Sequence, residues 1–336
     1  MLAFILVVAI WRELALGAAP TVADRPSLVR VERKKPCMGT TLRLVAYGPD
    51  EPSVLVALDR AFARAEALNG ILSDYQADSE LMRLVARAGK SEAIAVGPEL
   101  WEVLGAAQVM AQRTGGAFDV TVGPYTREWR LARKGFRLPD PEVLDQARQV
   151  VGYHKMELLP GQKVLLRKAG MRLDLGGIAK GYTGDQLLLL LRQAGFPRAL
   201  VALGGDVVAG DAPPGQAGWT VELIDLPGDK GGKRTLTLHN QAVSTSGDLE
   251  QFLEVEGTRY SHLVDPRTGM GTTDRAAATV IASKGIDADS LTKACCLLPE
   301  VQALAVVATY TAQARLVRPA EAGNRIITTP HFPGLR

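Results

Sequence analysis

Cysteine is scarce in this 336-residue chain: there are three, an odd number and too few for a disulfide scaffold. Cys295 and Cys296 are adjacent in an apolar helical stretch and read as packed thiols, while Cys37 stands alone. Cysteine therefore leaves the compartment open. An excess of one charge is missing too. The formal net charge is +3 with no dense Lys/Arg cluster, which argues against nucleic acid as a partner. Low-complexity runs, internal repeats and Ser- or Pro-rich linkers are absent. With 47% hydrophobic and 22% charged residues, the chain is neither disordered nor fibrous. It can bury a full core, as one large domain or two medium ones.

The apolar stretch Met1–Trp11 (MLAFILVVAIW) falls short of the about 20 residues a membrane-spanning helix needs. Its length suits the apolar region of a secretory leader, and Thr21-Val22-Ala23 before Asp24 offers a cleavage site. No Lys or Arg precedes the run and Glu13 follows it, so a buried N-terminal strand or a misassigned start codon are the alternatives. The expectation is export, with residues 1–23 as leader and 24–336 as one domain.

Alternating residues predict a strand over Thr41–Tyr47, and helical spacing of Leu55, Leu58, Phe62, Ala65 and Leu68 predicts a helix over Pro52–Leu68, closed by Gly70. Ser79 caps a short helix ending at Gly89, Gly97-Pro98 opens one that runs to Thr114, and Asp140-Pro141 opens another that Gly152 ends. Val164–Arg167 and Met171–Leu175 flank Ala169-Gly170 as a hairpin. A helix over Ile178–Ala194 and a strand over Ala199–Leu203 follow. Further strands fit Trp219–Leu223, Thr235–His239, Tyr260–Val264 and Ala277–Ala282, with a last clear helix over Ala288–Leu298. Helices come early and strands late without βαβ alternation, so the expected class is α+β.

Four segments can carry chemistry. Leu173–Tyr182 (LDLGGIAKGY) runs from Asp174 through paired glycines into a helix, with Lys180 in its first turn. Backbone N–H groups and a helix N-terminus there suit a phosphate; the same residues also make an ordinary tight strand-to-helix turn. It is neither a Walker loop, since Tyr182-Thr183 replaces Lys-Ser/Thr, nor GxGxxG, since Ile178 takes a glycine's place. In Arg259–Gly269 (RYSHLVDPRTG), His262 is one of four histidines and Asp265 lies three residues on. An imidazole oriented by a carboxylate can accept a hydroxyl proton, or it is a surface histidine before a turn. Asp287 and Asp289 (DADSLTK) are either helix caps or oxygen ligands for Mg2+. Asp119, in Thr114–Gly123 (TGGAFDVTVG), marks a glycine-flanked turn with an acid.

In order along the chain stand Cys37-Met38-Gly39-Thr40, Ser73-Asp74-Tyr75, Thr114 to Asp119, and Asp174 to Tyr182. Leu203-Gly204-Gly205-Asp206, Thr245-Ser246-Gly247-Asp248, Tyr260 to Gly269 and Ala288-Asp289 follow. Together these motifs resemble the bacterial FAD:protein FMN transferases, the ApbE-like flavin transferases, across essentially the whole chain after the leader. The resemblance implies mixed, largely antiparallel sheets with flanking helices and a T-fold-related core. It implies FAD as ligand, with Met38, Tyr75, Ala117, Phe118, Asp119, Asp174, Lys180 and Val264 at FAD-contacting positions, and His262 at the catalytic position. It places Mg2+ at the Gly177 backbone oxygen, the Asp289 carboxylate and the side-chain positions of Thr292 and Lys293. The implied acceptor is a Thr- or Ser-bearing protein, typically a subunit of a membrane-associated redox system outside the cytoplasm.

One position departs from the family. Threonine is common where Lys293 stands, and a protonated lysine has three donors and no acceptor for a metal. A flavin-binding protein without transfer activity, or an FAD pyrophosphatase, are the alternatives to a transferase.

Overall fold

The computed structural model describes residues 27–223, 234–247, 252–320 and 323–334; the expected leader and Asp248 lie outside the described residues. The described chain opens with a long antiparallel hairpin, β1 (Val29–Cys37) and β2 (Thr40–Gly48). Met38 and Gly39 join the strands with φ of 48° and 73°, the backbone of a two-residue type I′ turn. The expected strand at Thr41–Tyr47 is β2. Its neighbour β1 escaped the alternation test because it is a charged, largely exposed edge strand (VRVERKKPC), as such edges commonly are.

Helices dominate the next hundred residues. α1 (Glu51–Leu72) starts at Asp50, whose carboxylate accepts from the Ser53 N–H at 2.8 Å, and buries Val54, Leu58, Phe62, Ala65 and Leu68 on one face. Gly70 does not end it; burial of Leu72 carries the helix to Ser73. α2 (Glu80–Val85) is capped by Ser79 as expected, and β3 (Ile94–Ala95) precedes α3 (Pro98–Arg113). α4 (Gly123–Gly135) was not anticipated. Its REWRLARKG stretch reads as solvated, and beyond Gly123 and Pro124 it buries only the narrow stripe of Tyr125, Trp129 and Ala132. α5 (Pro141–Arg148) follows from its Asp140 cap.

The expected hairpin about Ala169-Gly170 is not formed. β5 (Lys163–Leu166) pairs backward with β4 (Met156–Leu159) and with β3. Met171–Leu175 runs unpaired as a strand, and its Asp174 N–H instead donates to the Val120 carbonyl at 2.8 Å. After α6 (Ala179–Gln193) the chain is mostly strand: β6 (Ala199–Leu203), β7 (Asp206–Ala209), β8 (Trp219–Leu223), β9 (Arg234–Leu238), β10 (Gln241–Ser246), β11 (Phe252–Val255), β12 (Thr258–Ser261) and β13 (Ala277–Ala282). α7 (Gly285–Leu297), α8 (Glu300–Ala308), β14 (Gln313–Ala320) and β15 (Gly323–Thr328) complete it.

Among the described residues, eight strands form one sheet in the order β1-β2-β6-β7-β10-β13-β14-β15, each neighbouring pair antiparallel. The expected α+β class with largely antiparallel sheets and flanking helices is what the chain adopts. α1, α6 and α7 pack on one face over the main core. The hairpin of β8 and β9 covers part of the other through Trp219, Leu236 and Leu238. A separate cluster joins α4 and α5 to the β11–β12 hairpin through Tyr125, Trp129, Leu144, Leu253 and Val264. All three cysteines are buried thiols outside any disulfide, and burial pushes Cys37 and Cys295 above the ordinary thiol range.

Candidate functional site

The site is built where α6 meets α7. A Cβ on Gly181 would lie 2.1 Å from the Gly285 carbonyl oxygen, so only glycine lets the two helices approach this closely. That proximity brings the Asp289 carboxylate of α7 to the Gly181 N–H of α6, at 3.0 Å. Asp289 is completely buried. Lys293, one turn on, donates to its other oxygen, and the Lys180 ammonium lies 3.6 Å away. Burial raises the Asp289 carboxyl, but the two ammonium groups outweigh it and hold it below the usual carboxylate range. Lys180 also lies 2.6 Å from Asp206, at the β6–β7 turn, which accepts from the Ser244 hydroxyl. Burial lowers the Lys180 pKa, yet Asp289 and Asp206 reverse this and keep it charged.

Asp287 and Asp289 do not cap α7. The helix begins at Gly285, and Asp185 of α6 reaches across to accept from the Gly285 and Ile286 N–H groups at 2.6 and 3.0 Å. Burial pushes the Asp185 carboxyl up to about 6.

Ahead of α6, Asp174 closes an Asx turn by accepting from the Gly176 N–H at 2.8 Å. Gly177 then lies under Phe118 and the stem of Lys293; a Cβ there would come within 3.3 Å of the ring and 3.4 Å of the lysine Cγ. Phe118 belongs to the Ala117-Phe118-Asp119 loop, in which Ala117 and Phe118 are buried. The Asp119 carboxylate is committed inside the protein, accepting from Thr121 (N–H at 2.8 Å, hydroxyl at 2.7 Å) and from the Tyr153 N–H at 2.6 Å. It orders the loop. Met38, at the tip of the β1–β2 turn, is half-buried and accepts from the Thr183 hydroxyl of α6 through sulfur at 3.6 Å.

Tyr75 is 76% exposed, unusual for a large aromatic, and rests on the Arg130 guanidinium with 4.3 Å from its carbon to the ring centroid. Arg130 forks to Asp74 at 2.5 Å and Asp174 at 2.7 Å. Burial and the neighbouring Asp174 charge raise the Asp74 carboxyl, against the pull of Arg130. The ring, the arginine and the α6 turn thus form one unit.

His262 follows β12 directly and is half-buried. Asp265 accepts from Arg267 at 2.9 and 2.7 Å, so its carboxylate serves the turn. Val264 pairs with Gly271, and its side chain is buried with Tyr125 and Trp129. The Trp129 indole donates to the Gly269 carbonyl at 2.8 Å, which fixes the His262 segment to α4. α4 therefore carries Arg130 toward Tyr75 and Asp174 and Trp129 toward the histidine segment.

The expected site residues sort into three groups. Asp174, Gly177, Phe118, Lys180, Asp289 and Thr292 gather at the α6–α7 junction, with Met38 beside α6. Tyr75 joins them through Arg130. His262 and Val264 connect through α4. Sequence reasoning missed Arg130, Asp185 and the pairing of Asp206 with Lys180. The Tyr125–Trp129–Ala132 spacing was the available signal for α4.

The residues present do not suit Mg2+. Asp289 already answers to Lys293, Lys180 and the Gly181 N–H. The Thr292 hydroxyl is buried, donates to the Asp289 carbonyl at 2.7 Å and pairs with Ser246 at 2.8 Å. Among the described residues, no three His, Cys, Asp or Glu side chains gather as ligands. In the expected Gly177, Asp289 and Thr292 metal set, the one carboxylate is neutralised from within.

A sequence model of the ApbE family matches residues 38–316. The chain is 34% identical over 279 residues to the FAD:protein FMN transferase of Treponema pallidum, covering 78% of this chain and 76% of that protein. It is 30% identical over 281 residues to that of Haemophilus influenzae, covering 80% and 81%. It superposes on the flavin transferase ApbE from Vibrio cholerae with a TM-score of 0.81 at 25% identity, covering 91% of this chain and 99% of that one. For the apo flavinyl transferase ApbE of Pseudomonas stutzeri the TM-score is 0.79 at 28% identity, covering 90% and 95%.

Proposed function

The chain belongs to the ApbE family, and on that premise we propose that it transfers FMN from FAD to a Thr or Ser hydroxyl of an acceptor protein, releasing AMP. The observation that carries this reading is the rigid link from an exposed aromatic, Tyr75, through Arg130 to the α6 turn that holds Lys180. Such a link sets a flat ring and a diphosphate at a fixed separation, as a flavin dinucleotide requires.

The acceptor hydroxyl oxygen attacks the FMN-side phosphorus. The bond from that phosphorus to the bridging oxygen breaks, and AMP departs with the oxygen. His262 takes the hydroxyl proton, a role worth about 10²–10⁴-fold in such reactions. Lys180 meets the charge that builds on the phosphates, and such positioning with charge stabilisation carries most phosphoryl transfers. Tyr75 and Met38 bear on the flavin, and the backbone of the Ala117–Asp119 loop and Val264 completes the pocket.

The acceptor is a flavin-carrying subunit of a membrane-associated redox system, met after export. The apolar Met1–Trp11 run and the small residues before Asp24 support export. Mass spectrometry of the protein from its host tests it: an intact N-terminus in a cytosolic fraction refutes export. Incubation with FAD and a threonine-bearing acceptor, with Mg2+ and with chelator, tests the reaction. Flavin on the acceptor supports transfer, whereas free FMN plus AMP identifies a pyrophosphatase and unchanged FAD a binding protein.

A further inference from the structure

We propose that Lys293 supplies from within the chain the positive charge that a divalent cation would bring to this site, so that the FAD diphosphate is held by Lys180 and Lys293 together. The inference rests on the flavin-transfer reading for its ligand, and on four observations for its residue.

First, the Lys293 stem lies against Gly177, within 3.4 Å of where a Cβ would be, so the side chain lies over the turn that opens α6 and not toward solvent. Second, its ammonium bonds Asp289, the one carboxylate a cation entering here would need, and that carboxylate is fully buried. Third, Asp289 is already shared with Lys180 and the Gly181 N–H. A dication would have to displace an ammonium or sit beside two of them. Fourth, the Thr292 hydroxyl is turned away into bonds with Asp289 and Ser246.

The donor count suits phosphate. A lysine ammonium has three N–H donors; Asp289 takes one from Lys293, and Asp206 and Asp289 engage Lys180. Donors from both side chains remain for phosphate oxygens. The two lysines and two aspartates balance in charge, so the cluster needs no ion to complete it before ligand arrives.

Two measurements on the full chain decide this. In the first, Mn2+ is titrated into ligand-free protein and followed by electron paramagnetic resonance. Wild type should leave the Mn2+ free, and Lys293→Thr should bind it. In the second, flavin fluorescence follows FAD binding in EDTA and in Mg2+. Wild type should give the same affinity in both. Lys293→Thr should lose about tenfold or more in EDTA, the worth of a charge-assisted hydrogen bond, and recover with Mg2+. Lys293→Met, which keeps the stem but not the charge, should lose affinity without recovery. It also serves if the threonine variant folds poorly. Stoichiometric Mn2+ on wild type, or wild-type FAD affinity that falls about tenfold on chelation, would overturn the proposal. Absence of FAD binding in both buffers would sink the flavin reading instead, and the Mn2+ titration would still decide the role of Lys293.

Discussion

The Arg130 guanidinium donates to the Asp174 carboxylate at 2.7 Å, tying α4 to the turn that opens α6. The same group supports the Tyr75 ring and pairs with Asp74, so one side chain holds three elements of the site. Arg130→Ala leaves two partly buried carboxylates facing each other. It should destabilise the fold by on the order of 2 kcal/mol, below the roughly 3–5 of a fully buried pair because these groups keep some exposure. FAD affinity should fall as well. Arg130→Lys should recover part of the stability but little of the affinity, because lysine lacks the flat guanidinium that stacks under the ring while presenting a planar fork to both carboxylates. Urea unfolding and FAD titration of both variants check this. Equal FAD affinity in Arg130→Ala and wild type would remove Arg130 from the site.

His262→Ala should bind FAD as wild type does and transfer flavin about 10²–10⁴-fold more slowly, the usual worth of a general base. Single-turnover transfer to an acceptor, with bound FAD measured in parallel, separates the two effects. Unchanged transfer would make the histidine structural.

Gly181→Ala sets a methyl 2.1 Å from the Gly285 carbonyl, which is backbone and cannot rotate away. The helices must part, at a cost of about 1–3 kcal/mol or more. Parting them also loosens Asp289 from the Gly181 N–H and from Lys180. The variant should therefore lose both melting temperature and FAD affinity. Gly105→Ala, inside α3 where a Cβ meets nothing within 4 Å, serves as the control: FAD affinity should not change, and the melting temperature should hold or rise because alanine favours a helix over glycine by about 1 kcal/mol.

Asp185 links pH to stability. Burial pushes its folded carboxyl up to about 6, from an ordinary value near 4. A raised acid favours the folded state while protonated, so this contribution is full below pH about 4 and lost as pH rises through about 6. Asp185→Asn does not ionise there. Wild type should therefore lose on the order of 2–3 kcal/mol relative to Asp185→Asn between pH 4 and 6, at about 1.4 kcal/mol per unit. Denaturant midpoints of both proteins across that range test it. A constant difference would show that the two N–H bonds from Gly285 and Ile286 cancel the effect of burial.

Periodicity located β2 and α1 because a buried face leaves its spacing in the chain, and Gly97-Pro98 marked the start of α3. α4 and β1 were not legible for the opposite reason: α4 buries a narrow stripe amid charges, and β1 is an exposed edge. The Ala169-Gly170 turn misled because Gly170, at φ 84°, marks a turn without saying which strands it joins. Strand partners depend on the whole sheet.

The motifs around Met38, Tyr75, Asp174, Lys180 and His262 were readable as a set by resemblance, since each alone also fits an ordinary turn or a surface position. Their order along the chain was enough to point to a flavin transferase. The chain alone could say that Lys293 accepts no metal bond, since that follows from an ammonium's three donors and absent lone pair. It could not say where the ammonium goes. That depended on a glycine contact between two helices far apart in sequence, which puts Asp289 beside Lys180 and leaves its second oxygen to Lys293. Charge and donor capacity belong to a residue, whereas the partner that a buried charge finds is decided by packing.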